Sequence, residues 1–282
     1  DIVARHANAL KSIPMMDKIF PKYAWMLQKD IKWLVDNALA NFDRMMRFLH
    51  EADMTQISTN SLKRVYRGWG AHNPIVLPNH EKASEWKGIV RAPLLNRIVI
   101  SWSGGFSHYF SDIRPISDPI TRVMNENPSV HLHLLGGEEY KSLFPNCPKD
   151  RIFVGGWDSW ERHKERVAES DIILAPSFAS KKFAEGKSDI RILQVWMKGI
   201  PCVASNLTYG ETIRESGGGY VAETPKQWYE SLSNLVKDAE FRRRMGQAGN
   251  RYVMEKRTYE GNTEKWHTAY KNLIGGTRPV KQ

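Results

Sequence analysis

Cysteine is scarce in this chain, with only Cys147 and Cys202 among 282 residues. The two are far apart and fit no metal-ligand spacing. That excludes a disulfide-stapled scaffold and a thiolate metal centre, and predicts two unpaired packing residues in a reducing compartment such as the cytoplasm. No apolar run approaches the ~20 residues of a membrane helix, and residues 1–20 lack the apolar block of a signal peptide, so neither a transmembrane segment nor export is expected. Asp-any-Asp does not occur. The nine histidines are scattered. His131 and His133 would share one face of a strand, but no third ligand is suggested nearby, and no metal site is expected. The chain starts at Asp1 rather than Met, as expected of a fragment or a processed product.

Acidic residues are outnumbered, 31 against 41 basic, for a formal net charge of +10. Such an excess suits a polyanionic partner, whether nucleic acid, an anionic membrane surface or an acidic glycan. The basic residues are dispersed, however, through Arg91 and Arg97, Lys181 and Lys182, Arg242 to Arg244, and Arg251 to Arg257. An enzyme of phosphorylated substrates would carry the same distribution.

Hydrophobic residues make up 41% of the chain, enough for one large or two modest cores. Residues 15–50 place Trp33, Leu34, Ala38, Phe42, Met45, Met46 and Leu49 at helical spacing, which predicts one or two amphipathic helices. A short strand within 52–59, a helix over 60–66 and a strand over 74–78 follow. From Arg97 the pattern changes to apolar runs at 98–102, 130–135, 151–154, 172–175, 201–204 and 220–221, separated by helical segments. Strands alternating with helices predict a parallel sheet covered on both faces, and ligands of such sheets bind beyond the carboxyl ends of the strands. The loops in that position hold Gly104 and Gly105, Gly136 and Gly137, Trp157, Lys187 with Ser188, and residues 206–209.

The densest signal runs from Ile172 to Ser205, which reads as strand, loop, helix and strand. Gly186, Lys187 and Ser188 stand where the helix is expected to begin, and unpaired N–H groups there, beside an ammonium, suit a phosphate. Gly104 and Gly105 follow the first strand of the unit, where the absence of side chains lets backbone N–H groups approach a diphosphate, although such pairs also serve as plain turns. A P-loop is the rival reading of Gly-Lys-Ser. Lys181 occupies the place of its first glycine, and the loop lies late in the sheet, so an NTPase is not expected.

Leu174-Ala-Pro, Gly186-Lys-Ser-Asp-Ile-Arg191 and Gly199-Ile-Pro-Cys-Val-Ala-Ser205 together resemble the donor-sugar domain of GT-B glycosyltransferases, in particular the retaining group with a Gly-Lys-Ser loop. The resemblance extends upstream to Ile100-Ser-Trp-Ser-Gly-Gly-Phe-Ser-His108 with Asp112, and downstream to Arg257-Thr-Tyr-Glu-Gly-Asn262 with Trp266 and Tyr270. It implies an α/β fold of GT-B type, with a Rossmann-like donor domain over 89–257. Residues 1–88 would be the end of an acceptor-side domain that is incomplete or reduced, and a helix over 258–282 would brace back to it. The implied co-substrate is a UDP- or GDP-linked sugar, with no permanently bound cofactor and no metal.

The same resemblance implies roles. Lys187 and His108 would be catalytic, and Gly104, Gly105, Lys187 and Ser188 would hold the donor diphosphate. Family members carry two Glu residues eight positions apart, where this chain has Gly186 and Gln194. Gln194 would meet the ribose hydroxyls through its carbonyl, without charge assistance. Trp157 would stack on the base, Trp160 would either stack there or sit in the core, and Trp196 and Trp266 are expected to pack. The acceptor is unspecified, possibilities being nucleic acid or another anionic polymer. Two alternatives stand beside sugar transfer in general: a transferase that glycosylates a modified base in DNA, and a nucleotide-sugar binding module with weakened catalysis.

Overall fold

The computed structural model describes residues 31–104, 112–136, 138–156, 159–178 and 181–275. These fall into two compact units, 31–56 with 63–75 and 57–62 with 76–275. The described residues open with α1 (Ile31–Glu51), β1 (Thr55–Ile57), α2 (Asn60–Gly68) and β2 (Pro74–Val76), and the two strands pair in a small ribbon. In the smaller unit Trp69 lies edge-on to Phe42 at 5.7 Å, and His50 donates from Nε2 to the Trp69 carbonyl at 2.8 Å. Gly70 follows at φ 91°, a left-handed turn that favours glycine.

The larger unit is built on β3 (Ile98–Ser103), β4 (Val130–Leu135), β5 (Ile152–Gly155), β6 (Ile172–Ala175), β7 (Cys202–Ala204) and β8 (Gly219–Val221). Their order across the sheet is β5-β4-β3-β6-β7-β8, and every pair is parallel. Ile100 of β3 faces Leu132 on one side and Ile172 on the other. The connecting helices are α3 (Ser117–Glu126), α4 (Trp160–Glu169), α5 (Lys181–Glu185), α6 (Ile190–Trp196), α7 (Asn206–Ser216), α8 (Pro225–Lys237), α9 (Ala239–Lys256) and α10 (Tyr259–Gly275). All four residues of β6 and all three of β7 are buried, as central strands covered on both faces require. Each of these six strands lies within a residue of its apolar run in the sequence.

Local chemistry fixes several of the joints. Thr224 and Gln227 form a reciprocal capping box at the start of α8, with Pro225 in the first turn. Asp238 caps α9 through the Phe241 N–H at 2.8 Å, and α7 ends on Gly217 in the left-handed region, φ 67°. The indole of Trp196 is fully buried between Gly218 and Gly249, where an added Cβ would sit 2.5 Å from the ring in either case. Its N–H donates to the Gly218 carbonyl at 2.9 Å.

Residues 79–86 run along the start of α10. Glu81 donates its N–H to the Arg257 carbonyl and accepts from the Tyr259 N–H, at 2.9 and 3.0 Å. The Glu260 carboxylate receives the N–H groups of Ala83 and Ser84 at the head of a 3₁₀ turn over Ala83–Trp86. Lys198 donates to the carbonyls of Trp86 and Ile89 at its other end, at 2.8 and 2.6 Å. An anion at the head and a cation at the tail match the dipole of the turn. Cys147 and Cys202 are both buried and unpaired, and burial pushes the Cys202 thiol up to about 12. No described helix is long and apolar enough to cross a membrane.

Candidate functional site

The strand order reverses between β3 and β6, so the connections leaving these neighbours depart in opposite directions and leave a crevice beyond their carboxyl ends. Gly104 ends β3 at this point. It is buried, and its N–H donates to the Leu135 carbonyl at 3.1 Å. A Cβ here would lie 2.3 Å from Cζ2 of Trp102, itself fully buried, so packing alone demands glycine at 104. Across the crevice the chain leaves β6 through Pro176, Ser177 and Phe178. Ser205, at the end of β7, accepts the Ser177 N–H on its hydroxyl at 2.9 Å and so ties the two strand ends together.

Lys187 lies between α5 and α6, with its side chain 19% exposed. Its Nζ stands 3.6 Å from Oδ2 of Asp112, which is fully buried. The other oxygen of Asp112 accepts the Phe178 N–H at 3.2 Å, so one carboxylate links the exit of β6 to the lysine. Burial lowers the Lys187 ammonium below its ordinary value, with Asp112 opposing the shift and Arg191 adding to it. The arrangement holds a partly desolvated positive charge at the crevice, where it acts on an anion more strongly than in bulk water.

The helix expected to begin at Ser188 begins instead at Ile190. The Lys187 N–H is already committed to the Ala184 carbonyl at 3.2 Å, and Ser188 accepts from Asn79 Nδ2 on its hydroxyl at 2.7 Å. Asp189 occupies the N-cap position but does not cap. Its carboxylate turns to Arg257, which donates to both oxygens at 2.7 and 2.6 Å, and Thr212 adds a third donor at 2.7 Å. Arg257 also donates twice to the Asn79 carbonyl, at 3.1 and 3.0 Å. Asp189 and Arg257 are each 8% exposed. A bidentate, fully hydrogen-bonded pair is the geometry in which a buried ion pair is tolerated, and this one anchors the loop that carries Lys187.

Gln194 is half-buried on α6 and lines a small cavity with Ser101, Ser103, His163 and Arg191. Burial holds His163 below its ordinary pKa, with the charge of Arg191 adding to the shift, which favours the neutral ring. Glu81 accepts the Trp86 indole N–H at 3.0 Å, and burial raises its carboxyl above the usual range, with Trp86 and Gln194 opposing the shift. Sequence reasoning gives no role to Glu81, His163 or Arg191 and misses the bonding of Asp189, whose partners Arg257 and Thr212 lie 68 and 23 positions away along the chain. Trp160 is 37% exposed and so not a core residue: it lies edge-on to Trp86 at 6.0 Å and donates to Glu85 at 3.1 Å. Trp196 is buried in the core. Gly105, His108 and Trp157 lie outside the described residues.

No curated protein matches the sequence. Solved structures resemble its fold. Sucrose-phosphate synthase from Thermosynechococcus elongatus superposes with a TM-score of 0.64 at 15% identity, over 83% of this chain and 61% of that one. A TarM variant from S. aureus, in complex with fondaparinux, alpha-GlcNAc-glycerol and UDP, gives 0.66 at 11% identity, over 81% and 46%. Anabaena HepE, in complex with UDP and glucose, gives 0.62 at 15%, over 79% and 64%. The chain thus spans between about half and two thirds of the length of these structures. At such identities the likeness is one of fold, the parallel-sheet α/β arrangement of GT-B proteins. Residues 97–238 carry more than the fold: half of the chain matches the model of one family, and the chain belongs to the glycosyl transferases group 1.

Proposed function

We propose that this chain transfers a sugar from a nucleotide-sugar donor to a hydroxyl acceptor, with retention at the anomeric carbon. The observation that carries the reading is the half-buried ammonium of Lys187, held by Asp112 at the crevice where the strand order reverses. In the proposed reaction the bond between the anomeric carbon and the diphosphate oxygen breaks, and its electron pair leaves with the nucleoside diphosphate. The acceptor oxygen attacks from the same face. Its proton passes to the departing phosphate oxygen, so no protein nucleophile is needed. Charge on that phosphate is greatest as the bond breaks, and a fixed cation in a partly dry site stabilises it there more than in the ground state. Lys187 and Arg191 supply this charge in our reading.

Around that centre we assign the diphosphate to Gly104, Gly105, Lys187 and Ser188, the ribose to Gln194 and the base to Trp157, with His108 beside the departing group. The complexes of TarM and HepE contain UDP, which makes UDP the first nucleotide to test and GDP the second. The net charge of +10 suits the anionic diphosphate, and would favour an anionic acceptor only where the basic residues cluster beside the donor crevice. The test is calorimetry with UDP and GDP, together with turnover of the matching nucleotide sugars, on the wild type and on Lys187→Ala. The variant should bind the nucleotide more weakly and lose more in kcat than it gains in KM. Unchanged affinity together with unchanged turnover would refute the assignment.

A further inference from the structure

Asn79 and Ser188, 109 positions apart, meet through their side chains, Nδ2 of the amide donating to the serine hydroxyl at 2.7 Å. Both residues are partly exposed. The contact is held in register from behind by one guanidinium. Arg257 grips the Asn79 carbonyl through Nε and Nη2 at 3.1 and 3.0 Å, and it grips the carboxylate of Asp189, the residue after Ser188, at 2.7 and 2.6 Å. The path from Asn79 through Arg257 and Asp189 to Ser188, and back across the side-chain bond, is therefore a closed ring. Thr212 steadies Asp189 from outside it at 2.7 Å. Asn79 and Ser188 cannot drift apart without straining a buried ion pair.

A serine hydroxyl carries one proton and two lone pairs, and left alone it rotates to suit any neighbour. Here an N–H occupies one lone pair, so Asn79 makes no use of the Ser188 proton. That proton points elsewhere. Lys187 precedes Ser188 in the chain and holds its ammonium at the crevice beyond β3 and β6. A fixed O–H beside a cation favours a negatively charged acceptor, because a hydrogen bond to an ion is roughly twice as strong as one between neutral groups. A phosphate oxygen meets both.

We propose that Asn79 is a positioning residue, which by donating to Ser188 keeps the serine O–H directed at a phosphate oxygen bound beside Lys187. The assignment of that oxygen to a nucleoside diphosphate rests on the nucleotide-sugar reading, whereas the requirement for a phosphate does not. Asn79 itself touches no ligand in this arrangement. Its identity matters because Asn79→Asp would offer acceptors alone, draw the Ser188 proton to itself and leave a lone pair facing the anion.

The experiment is calorimetry with UDP, GDP and inorganic pyrophosphate on the wild type, Ser188→Ala, Asn79→Asp and the double variant, with the Tm of each. Ser188→Ala should weaken UDP binding about tenfold, the loss of one charge-assisted hydrogen bond. Asn79→Asp should weaken it at least as much, and adding Ser188→Ala to it should then change nothing, because the hydroxyl has already been withdrawn. If Asn79→Asp lowers Tm, Asn79→Ala takes its place. It frees the hydroxyl among three staggered positions, and should cost about threefold in affinity beside Ser188 and nothing beside Ser188→Ala. Losses at 79 that are equal in both backgrounds, or an Asn79→Asp protein that binds as tightly as the wild type, would overturn the positioning. UDP binding indifferent to Ser188→Ala would do so too, and would leave the nucleotide reading standing. Pyrophosphate binding with the expected coupling, in a wild type that takes neither nucleotide, would support the positioning and refute the nucleotide reading. A wild type that binds none of the three would overturn both.

Discussion

Replacing Arg257 by alanine isolates the energetics of the loop anchor. Four donor contacts vanish, two to Asp189 at 2.6 and 2.7 Å and two to the Asn79 carbonyl at 3.0 and 3.1 Å. Asp189 keeps its bond from Thr212 but stays 8% exposed, with its main counter-charge gone. An ion pair broken from one side in such a setting costs about 3–5 kcal/mol, most of it the uncompensated buried charge. That corresponds to a Tm drop of roughly 6–20 °C for a unit of this size. Arg257→Lys preserves the charge but not the fork, and should fall between the two. The assay is denaturant unfolding at pH 7, with Arg243→Ala as the control. Arg243 pairs with Glu240 at 2.6 Å, but both side chains are more than half exposed, and its removal should leave the midpoint unmoved. If Arg257→Ala lost less than about 1 kcal/mol, Asp189 would have to find water or another partner without cost, and the anchor as argued here would be wrong.

Two further outcomes follow from geometry. Gly104→Ala should destabilise by about 1–3 kcal/mol with or without nucleotide, because the new methyl meets the fixed Trp102 ring at 2.3 Å. A loss seen only in the presence of nucleotide would shift the reason for glycine from packing to the diphosphate. His133 is pushed down to about 4, chiefly by burial, with His131, Arg166 and Arg97 adding positive potential. Between pH 6.5 and about 4 the unfolded chain therefore binds the proton that the folded state refuses, so stability should fall as pH falls through that window. The Tm difference between pH 7.5 and 5 should shrink in His133→Gln, and an equal difference in both proteins would remove His133 from the account.

The sheet is legible because its strands are covered on both faces. Ile172 to Ala175 and Cys202 to Ala204 read as unbroken apolar runs, with a proline adjoining each, and the structure buries every one of those residues. The start of α6 is less legible. Gly186-Lys187-Ser188 has helix-start chemistry, but Asp189 is drawn to an arginine 68 positions further on, and the helix opens after it. The same holds for the contact of Ser188 with Asn79, 109 positions apart. Such pairs leave no periodicity in the chain.

The Trp196 ring, held between Gly218 and Gly249, ties three positions into one evolutionary unit. While the indole is present, neither glycine can accept even a methyl group, so a mutational scan of the wild type would record 218 and 249 as intolerant. The constraint belongs to the tryptophan rather than to the backbone at 249, which lies inside a helix where alanine is the better former. In a lineage that first reduced Trp196 to a smaller apolar residue, alanine at 249 would change from a lesion into a repair, filling part of the vacated space. Divergent relatives should therefore differ at these sites in concert, and a Trp196 borrowed alone into such a relative should fail.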